Sequence, residues 1–218
     1  MFARISPRYD LLNHILSANI DKRWRRRVVK RLQGLMPPGA QVLDVGCGTG
    51  DLSIELFEKT DAEVVGIDFC EPMLRLAQQK APQLTFINGD ALQLPFPDAS
   101  FDAITIGFVL RNLSSVAGGL AEFKRVLRPG GWLAILEFSH PTVPGVRQIV
   151  RFYYSSLLPW IGGKLSGSSH AYQYLPDSIA RFPDQQTLAG MMDARGFIEV
   201  GFENLSGGIA ALHLGRRE

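Results

Sequence analysis

Short apolar runs alternate along this chain with stretches whose apolar residues recur at helical spacing. Val42, Leu43 and Val45 make a run of strand length, and Leu52, Ile54, Leu56 and Phe57 behind it have the spacing of an amphipathic helix. Residues 63–68 then predict a second strand, 71–80 a helix with Pro72 in its first turn, and 84–88 a third strand. Residues 103–108, 116–127 and 132–138 continue as strand, helix and strand, the last after a Pro129-Gly130-Gly131 turn. Upstream, 10–16 and 22–35 predict helices, and Pro37-Pro38-Gly39 closes that segment. Such alternation predicts an α/β fold, a doubly wound and mostly parallel sheet.

The rhythm breaks over residues 141–184, an interval rich in aromatics and punctuated by proline and glycine. Its centre, 146–161, predicts an apolar helix outside the sheet, serving either as core or as a lid. Residues 185–195 resume as a helix ending at Gly196, and 197–202 with 209–214 predict an antiparallel hairpin. The whole chain of 218 residues reads as one domain, with a helical N-terminal segment over 1–36 and the insert over 141–184.

Candidate chemistry gathers where the first strand ends. Gly46, Gly48 and Gly50 open a loop between strand and helix, the arrangement of a nucleotide-type site at the carboxyl edge of a parallel sheet. A side chain at those positions would hold the backbone away from a ligand. Asp68 closes the second strand, where a carboxylate can accept both hydroxyls of a ribose. Asn88-Gly89-Asp90-Ala91 follows the third strand and sets a second acid beside the same crevice, suited to the exocyclic amine of an adenine. Singly, Asp68 could cap a helix and Asp90 could form a turn. Together, in register with the glycine loop, they point to a nucleoside. The spacing Gly46-x-Gly48-x-Gly50 and the second acid disfavour a nicotinamide-dependent oxidoreductase.

Composition narrows the picture less. Apolar residues make up 46% and charged residues 20%, no stretch approaches a membrane span, and no signal-peptide core opens the chain, so a cytoplasmic protein is expected. Cys47 and Cys70 fit neither zinc spacing nor a disulfide framework. A net charge of +2 hides an uneven distribution. Residues 1–35 hold nine Arg or Lys against Asp10 and Asp21. That excess is either a solvated helix face or an attraction to an anionic membrane surface; without an RNA-binding motif, nucleic acid is not expected as a partner.

Val-Leu-Asp-Val-Gly-Cys-Gly-Thr-Gly over 42–50, then Gly-Ile-Asp, Gly-Asp-Ala and Leu-Pro-Phe-Pro-Asp-Ala-Ser-Phe-Asp, resembles the class I methyltransferases that use S-adenosylmethionine. The resemblance implies a seven-stranded Rossmann-like sheet whose last strand is antiparallel. It also implies Gly46, Gly48, Thr49 and Gly50 around the methionine part of the cofactor, Asp68 at the ribose, and Asp90 with Ala91 at the adenine. Tyr9-Asp10-Leu11-Leu12-Asn13, Trp24, Phe108-Val109-Leu110-Arg111-Asn112, residues 125–139 and 207–213 resemble more closely the ubiquinone and menaquinone biosynthesis C-methyltransferases. Leu12, Asp21 and His140 depart from what that family commonly has, and Gly107, on the cofactor side, is Ser in some members.

The family implies methyl transfer to a ring carbon of a prenylated quinol, either a demethylmenaquinol or a benzoquinol. Another lipophilic acceptor and a non-catalytic cofactor-binding module stay open beside it. A ring carbon becomes nucleophilic when a neighbouring hydroxyl loses its proton, so a base or an oxyanion-stabilising cation is needed. Arg111, beyond the fourth strand, is the first candidate for that cation, with Asn112 orienting the same oxygen; the alternative for Arg111 is an ion pair with an acid. His140, Tyr153, His170 and Tyr172 are further candidates. Oligomeric state is left open, with a homodimer among the alternatives.

Overall fold

The computed structural model describes the backbone of residues 20–152 and 170–218 and, within these, the side chains of 20–150 and 175–218. The expected helix over 10–16 lies outside the described residues. Helix α1 (Ile20–Gln33) is followed by β1 (Gln41–Val45), α2 (Asp51–Lys59), β2 (Glu63–Asp68), α3 (Glu71–Lys80), β3 (Thr85–Asn88) and β4 (Phe101–Gly107). A 3-10 turn (Leu110–Asn112) leads to α4 (Val116–Val126), β5 (Leu127–Phe138) and α5 (Pro144–Phe152). Helices α6 (His170–Arg181) and α7 (Gln185–Ala194), β6 (Phe197–Leu205), a 3-10 turn (Ser206–Gly208) and β7 (Ala210–Arg217) complete the order.

The seven strands form one sheet in the order β3-β2-β1-β4-β5-β7-β6. Neighbours from β3 through β5 are parallel, and β7 runs antiparallel to both β5 and β6. The chain winds outward from β1 to β3 and then returns to β4, so the topology reverses between β1 and β4. In such sheets ligands bind beyond the carboxyl ends of the strands at that reversal.

Two apolar layers cover the sheet. On one face Val42, Ala103, Ala134, Leu136 and Leu212 pack with Trp24, Val28 and Leu32 of α1 and Leu52 and Leu56 of α2. On the other, Leu43, Ile104, Ile106, Leu133 and Ile135 pack with Leu120 and Phe123 of α4 and Leu188 and Met192 of α7. Burial on both faces explains why the central strands read as continuous apolar runs. Caps fix the helix starts: Ser115 accepts from the Gly118 N–H at 2.9 Å, and Asp184 from the Thr187 N–H at 2.8 Å.

Three expectations shift. The Pro129-Gly130-Gly131 turn is an excursion inside β5. Phe101 pairs with Leu127 and Ala103 with Trp132, so five residues of β5 match two of β4, with Gly130 at φ 82°. Second, the insert holds α6, a helix beyond the one expected at 146–161, and Pro176 lies within it. Third, the described part of the apolar helix over 146–161 is α5, whose Ile149 is 68% exposed; this part is not core.

Candidate active site

The glycine loop is built by its ties to β2. The N–H groups of Gly46 and Cys47 both donate to the Ile67 carbonyl, at 2.7 and 3.1 Å, and Gly50 donates to Cys47 at 2.9 Å. Gly46, Gly48 and Gly50 all have left-handed backbones, with φ of 66°, 56° and 84°. Their reasons differ. A Cβ on Gly46 would stand 2.6 Å from Val109, and one on Gly50 3.0 Å from Phe86, whereas a Cβ on Gly48 would meet nothing within 4 Å. Gly46 is thus demanded by protein packing, Gly50 is crowded by Phe86 and Ala77, and Gly48 is the position whose open side a ligand can approach.

Asp68 ends β2 with its carboxylate held by main-chain donors, among them Gly48 N–H at 2.9 Å and Cys70 N–H at 2.8 Å. It does not cap α3, whose N-cap Cys70 has no side-chain bond. Burial pushes the Asp68 carboxyl up, and the main-chain donors pull it back. A carboxylate oxygen accepts more than one hydrogen bond, so this clamp orients the acid and leaves lone pairs for two hydroxyls. Phe69, the next residue, is an exposed aromatic, 70% accessible.

The ends of β2 and β3 are stitched together by Gly89 N–H and Asn88 Nδ2 donating to the Asp68 carbonyl, each at 3.1 Å. Asp90 is exposed, and one of its carboxylate oxygens accepts from the Leu92 N–H at 2.9 Å. The turn-forming alternative is therefore real, and it also aims the acid. Ala91 is half-buried against the second apolar layer. Thr49 is buried, and its hydroxyl accepts from Lys80 Nζ at 2.9 Å; the same Nζ lies 3.0 Å from Asp51. Asp51 also meets Arg25 of α1 at 3.2 Å, which ties the N-terminal helix to the start of α2.

At the end of β4, Gly107 admits a larger residue: its Cβ would meet only Leu52, at an ordinary 3.6 Å. Phe108 follows at φ 59°, a left-handed backbone for a bulky residue. Such strain costs about 1–3 kcal/mol and persists where neighbours impose it. Here the Phe108 N–H donates to Leu136 at 2.7 Å, and its ring packs 4.7 Å from Phe138 and 5.9 Å from Trp24. Trp24 Nε1 in turn donates to Ser206 at 3.0 Å.

Arg111 meets an acid. Its Nη1 lies 2.5 Å from both Glu137 Oε1 and the Phe108 carbonyl, and its guanidinium carbon sits 5.3 Å from the centre of the Phe138 ring. Glu137 is 1% exposed, and the Arg111 side chain 9%. Burial pushes the Glu137 carboxyl up, opposed chiefly by Arg111. The pair does not satisfy Arg111 completely. Its Nε is buried and has no hydrogen-bond partner among the described residues. Asn112 closes the 3-10 turn, donating its N–H to Val109 at 2.8 Å. His140 Nε2 lies 3.2 Å from the Phe182 carbonyl. Tyr153 lies outside the described residues, as do the side chains of His170 and Tyr172.

Residues 1–217 match the model of the ubiE/COQ5 methyltransferase family. The chain belongs to that family. It is 46% identical to the demethylmenaquinone methyltransferase of Thermus thermophilus, over the full length of both chains. The ubiquinone/menaquinone biosynthesis C-methyltransferase UbiE of a Geobacter species is also 46% identical, over all of this chain and 94% of its own. Among solved structures, a SAM-dependent methyltransferase of Thermotoga maritima superposes with a TM-score of 0.70 at 19% identity, covering all of this chain and 98% of its own. That likeness bears out the doubly wound seven-stranded fold.

Two buried acids of this ubiE/COQ5 methyltransferase escaped the sequence reading as site residues. Asp44, in the middle of β1, is 1% exposed and accepts from Ser53 at 2.6 Å and Thr105 at 2.8 Å. Burial pushes its carboxyl up to about 6, against the pull of those hydroxyls. It joins β1, β4 and the first turn of α2 beneath the glycine loop. Cys47, above it, is also pushed up by burial and by the nearness of Asp44 and Asp68, so it stays a thiol. Glu137 is the second missed acid. The signal for both was a carboxylate inside an otherwise apolar strand run, where burial is costly unless a partner waits.

Proposed function

We propose that the protein transfers a methyl group from S-adenosylmethionine to a ring carbon of a prenylated quinol, converting a demethylmenaquinol to a menaquinol. The full-length similarity to demethylmenaquinone methyltransferases carries this reading. The residues at the strand ends support the cofactor: an open approach over Gly48, an oriented carboxylate at Asp68 for the ribose hydroxyls, and Asp90 with Ala91 after β3 for the base. Gly46, Thr49, Gly50 and Gly107 complete that lining. When bound, the cofactor supplies an electrophilic methyl on a sulfonium.

The chain's own task is to make the ring carbon a nucleophile and to align it, at about 3 to 3.5 Å, behind the C–S bond. Loss of a hydroxyl proton from the quinol puts negative charge on its oxygen and, through the ring, on the adjacent carbon. Arg111 is the proposed partner of that oxygen, through the buried Nε–H that no described residue satisfies. A guanidinium stays protonated and gives up no base function, so the proton passes to water or another side chain. Asn112, beside it on the same turn, orients the oxygen.

A benzoquinol acceptor is the second reading, favoured by the name of the Geobacter relative, which joins ubiquinone to menaquinone. Labelled S-adenosylmethionine offered with a demethylmenaquinol and with its benzoquinol counterpart decides between them. Label in the naphthoquinone ring alone is expected. Equal incorporation into both would make the enzyme dual, and none into either would overturn the quinol assignment. A peripheral contact with an anionic membrane surface belongs to the same proposal, since a prenylated acceptor resides in lipid. Exposed Lys22, Arg23, Lys30 and Arg31 on α1, and exposed Val143 and Ile149 at α5, support it.

A further inference from the structure

Arg111 by itself is a poorly defined instrument. A free arginine has several rotatable bonds and five donors, and its charge alone would not single out one oxygen. What surrounds it removes that freedom. Nη1 is held from two sides, by Glu137 Oε1 and by the Phe108 carbonyl. The main-chain N–H of Arg111 also donates to Glu137, to Oε2 at 3.3 Å, so one carboxylate grips both ends of the residue. Glu137 is itself fixed, because Oε1 accepts from the Phe138 N–H at 2.8 Å. The Phe138 ring lies against the guanidinium. A planar fork clamped at Nη1 keeps its Nε edge on the far side from the clamp, and Nε is the buried donor left without a partner among the described residues.

Stability does not account for this pair. Two buried charges are commonly replaceable by apolar residues without loss, so a fold gains little by keeping them. Leaving one donor of the pair unsatisfied makes the arrangement worse as a structural device and better as a receptor. Its location agrees: β4 and β5 end here, at the edge that carries the glycine loop.

We propose that Glu137 is the positioning residue of the reaction, acting through Arg111 to turn the Nε–H toward the acceptor oxygen. The inference rests on the assignment of Arg111 to that oxygen and deepens it. Glu137 touches neither cofactor nor acceptor. It compensates the guanidinium, so that the pair presents an aimed donor of no net charge.

The test compares Glu137→Gln, Glu137→Asp, Arg111→Met and the charge-free double variant R111M/E137L. Read for each are kcat, KM for the quinol, the affinity for S-adenosylhomocysteine by calorimetry, and the melting temperature. E137Q and E137D are expected to lose at least tenfold in kcat while S-adenosylhomocysteine binds within twofold of the parent, a split that a general loosening of the fold would not give. The double variant is expected to be no slower than R111M, because a residue that works through another adds nothing once the other is gone. If E137Q melts too low to assay, E137D decides, since it keeps the charge and withdraws it by one methylene. Parent-like kcat in E137D or E137Q beside a slow R111M would overturn the role of Glu137 and leave Arg111 standing. A parent-like R111M would remove Arg111 and the inference together. A double variant slower than R111M by the full E137Q factor would give Glu137 an independent role and overturn the proposal.

Discussion

Asp44 shows what a single buried acid costs and what it holds. Its carboxyl titrates at about 6 in the folded protein against an ordinary value of 3.8, because burial outweighs the two hydroxyls that donate to it. The folded state therefore takes up this proton before the unfolded chain does. Stability from this group is highest when it is protonated, falls as pH rises from about 4 to 6, and stays lower above that by roughly 3 kcal/mol. Asp44→Asn has no such titration. The unfolding free energy of D44N relative to the parent is expected to improve by about 2–3 kcal/mol between pH 4 and pH 7. Urea denaturation of both at each pH measures it, since the other carboxylates cancel in the difference; a flat difference would show that the acid carries no such burden. Asp68 was legible in the sequence because it stands at a strand end, where a carboxylate needs a ligand or a cap. Asp44 and Glu137 were not, because their partners Ser53, Thr105 and Arg111 come from other elements, and only folding brings them near.

At the scale of elements, the glycine loop was read correctly in position and incompletely in cause. Three glycines at alternate positions predicted a backbone open to a ligand, yet only Gly48 has that open side. Gly46→Ala is expected to lower stability, since its Cβ would be driven into Val109 and the left-handed backbone adds about 1–2 kcal/mol. Gly48→Ala carries the same backbone cost but no clash, and it is expected to lose more in S-adenosylhomocysteine affinity than in melting temperature. Thermal melting with and without S-adenosylhomocysteine separates the two, and equal behaviour of the variants would contradict the distinction. The bounds of β2 and α3 matched the apolar pattern because the residues paired or packed there are the apolar run itself, Val64 to Ile67 in β2 and Met73, Leu74 and Ala77 in α3. The excursion in β5 did not, because Pro129-Gly130-Gly131 signals a break without saying that pairing to β4 resumes beyond it. Helix α6 was not foreseen in the irregular interval, and it carries Pro176, a residue whose helical cost tertiary packing can offset.

For the molecule as a whole, the basic N-terminal segment resolves into two populations. Arg25 and Arg27 are half-buried and paired with Asp51 and Glu203, while Arg26 is exposed and lies 3.6 Å from Glu55. Among the described residues, Lys22, Arg23, Lys30 and Arg31 are exposed and are charges available to lipid. Flotation with vesicles containing anionic lipid is expected to recover the protein, and Lys22→Gln with Arg23→Gln to weaken that binding roughly thirtyfold, at about 1 kcal/mol per charge. Recovery on neutral vesicles to the same extent would remove the electrostatic part. The same helix has another commitment, made by Trp24 to Ser206 across 182 residues and by Arg27 to Glu203. During translation, α1 leaves the ribosome early, yet these partners are made near the end, along with the strand that joins β5 to β6. At about 5–20 residues per second, that is a wait of roughly 10 to 40 s. For that interval an amphipathic helix is without its last contacts, and the fold around α1 closes only when the final strands are made.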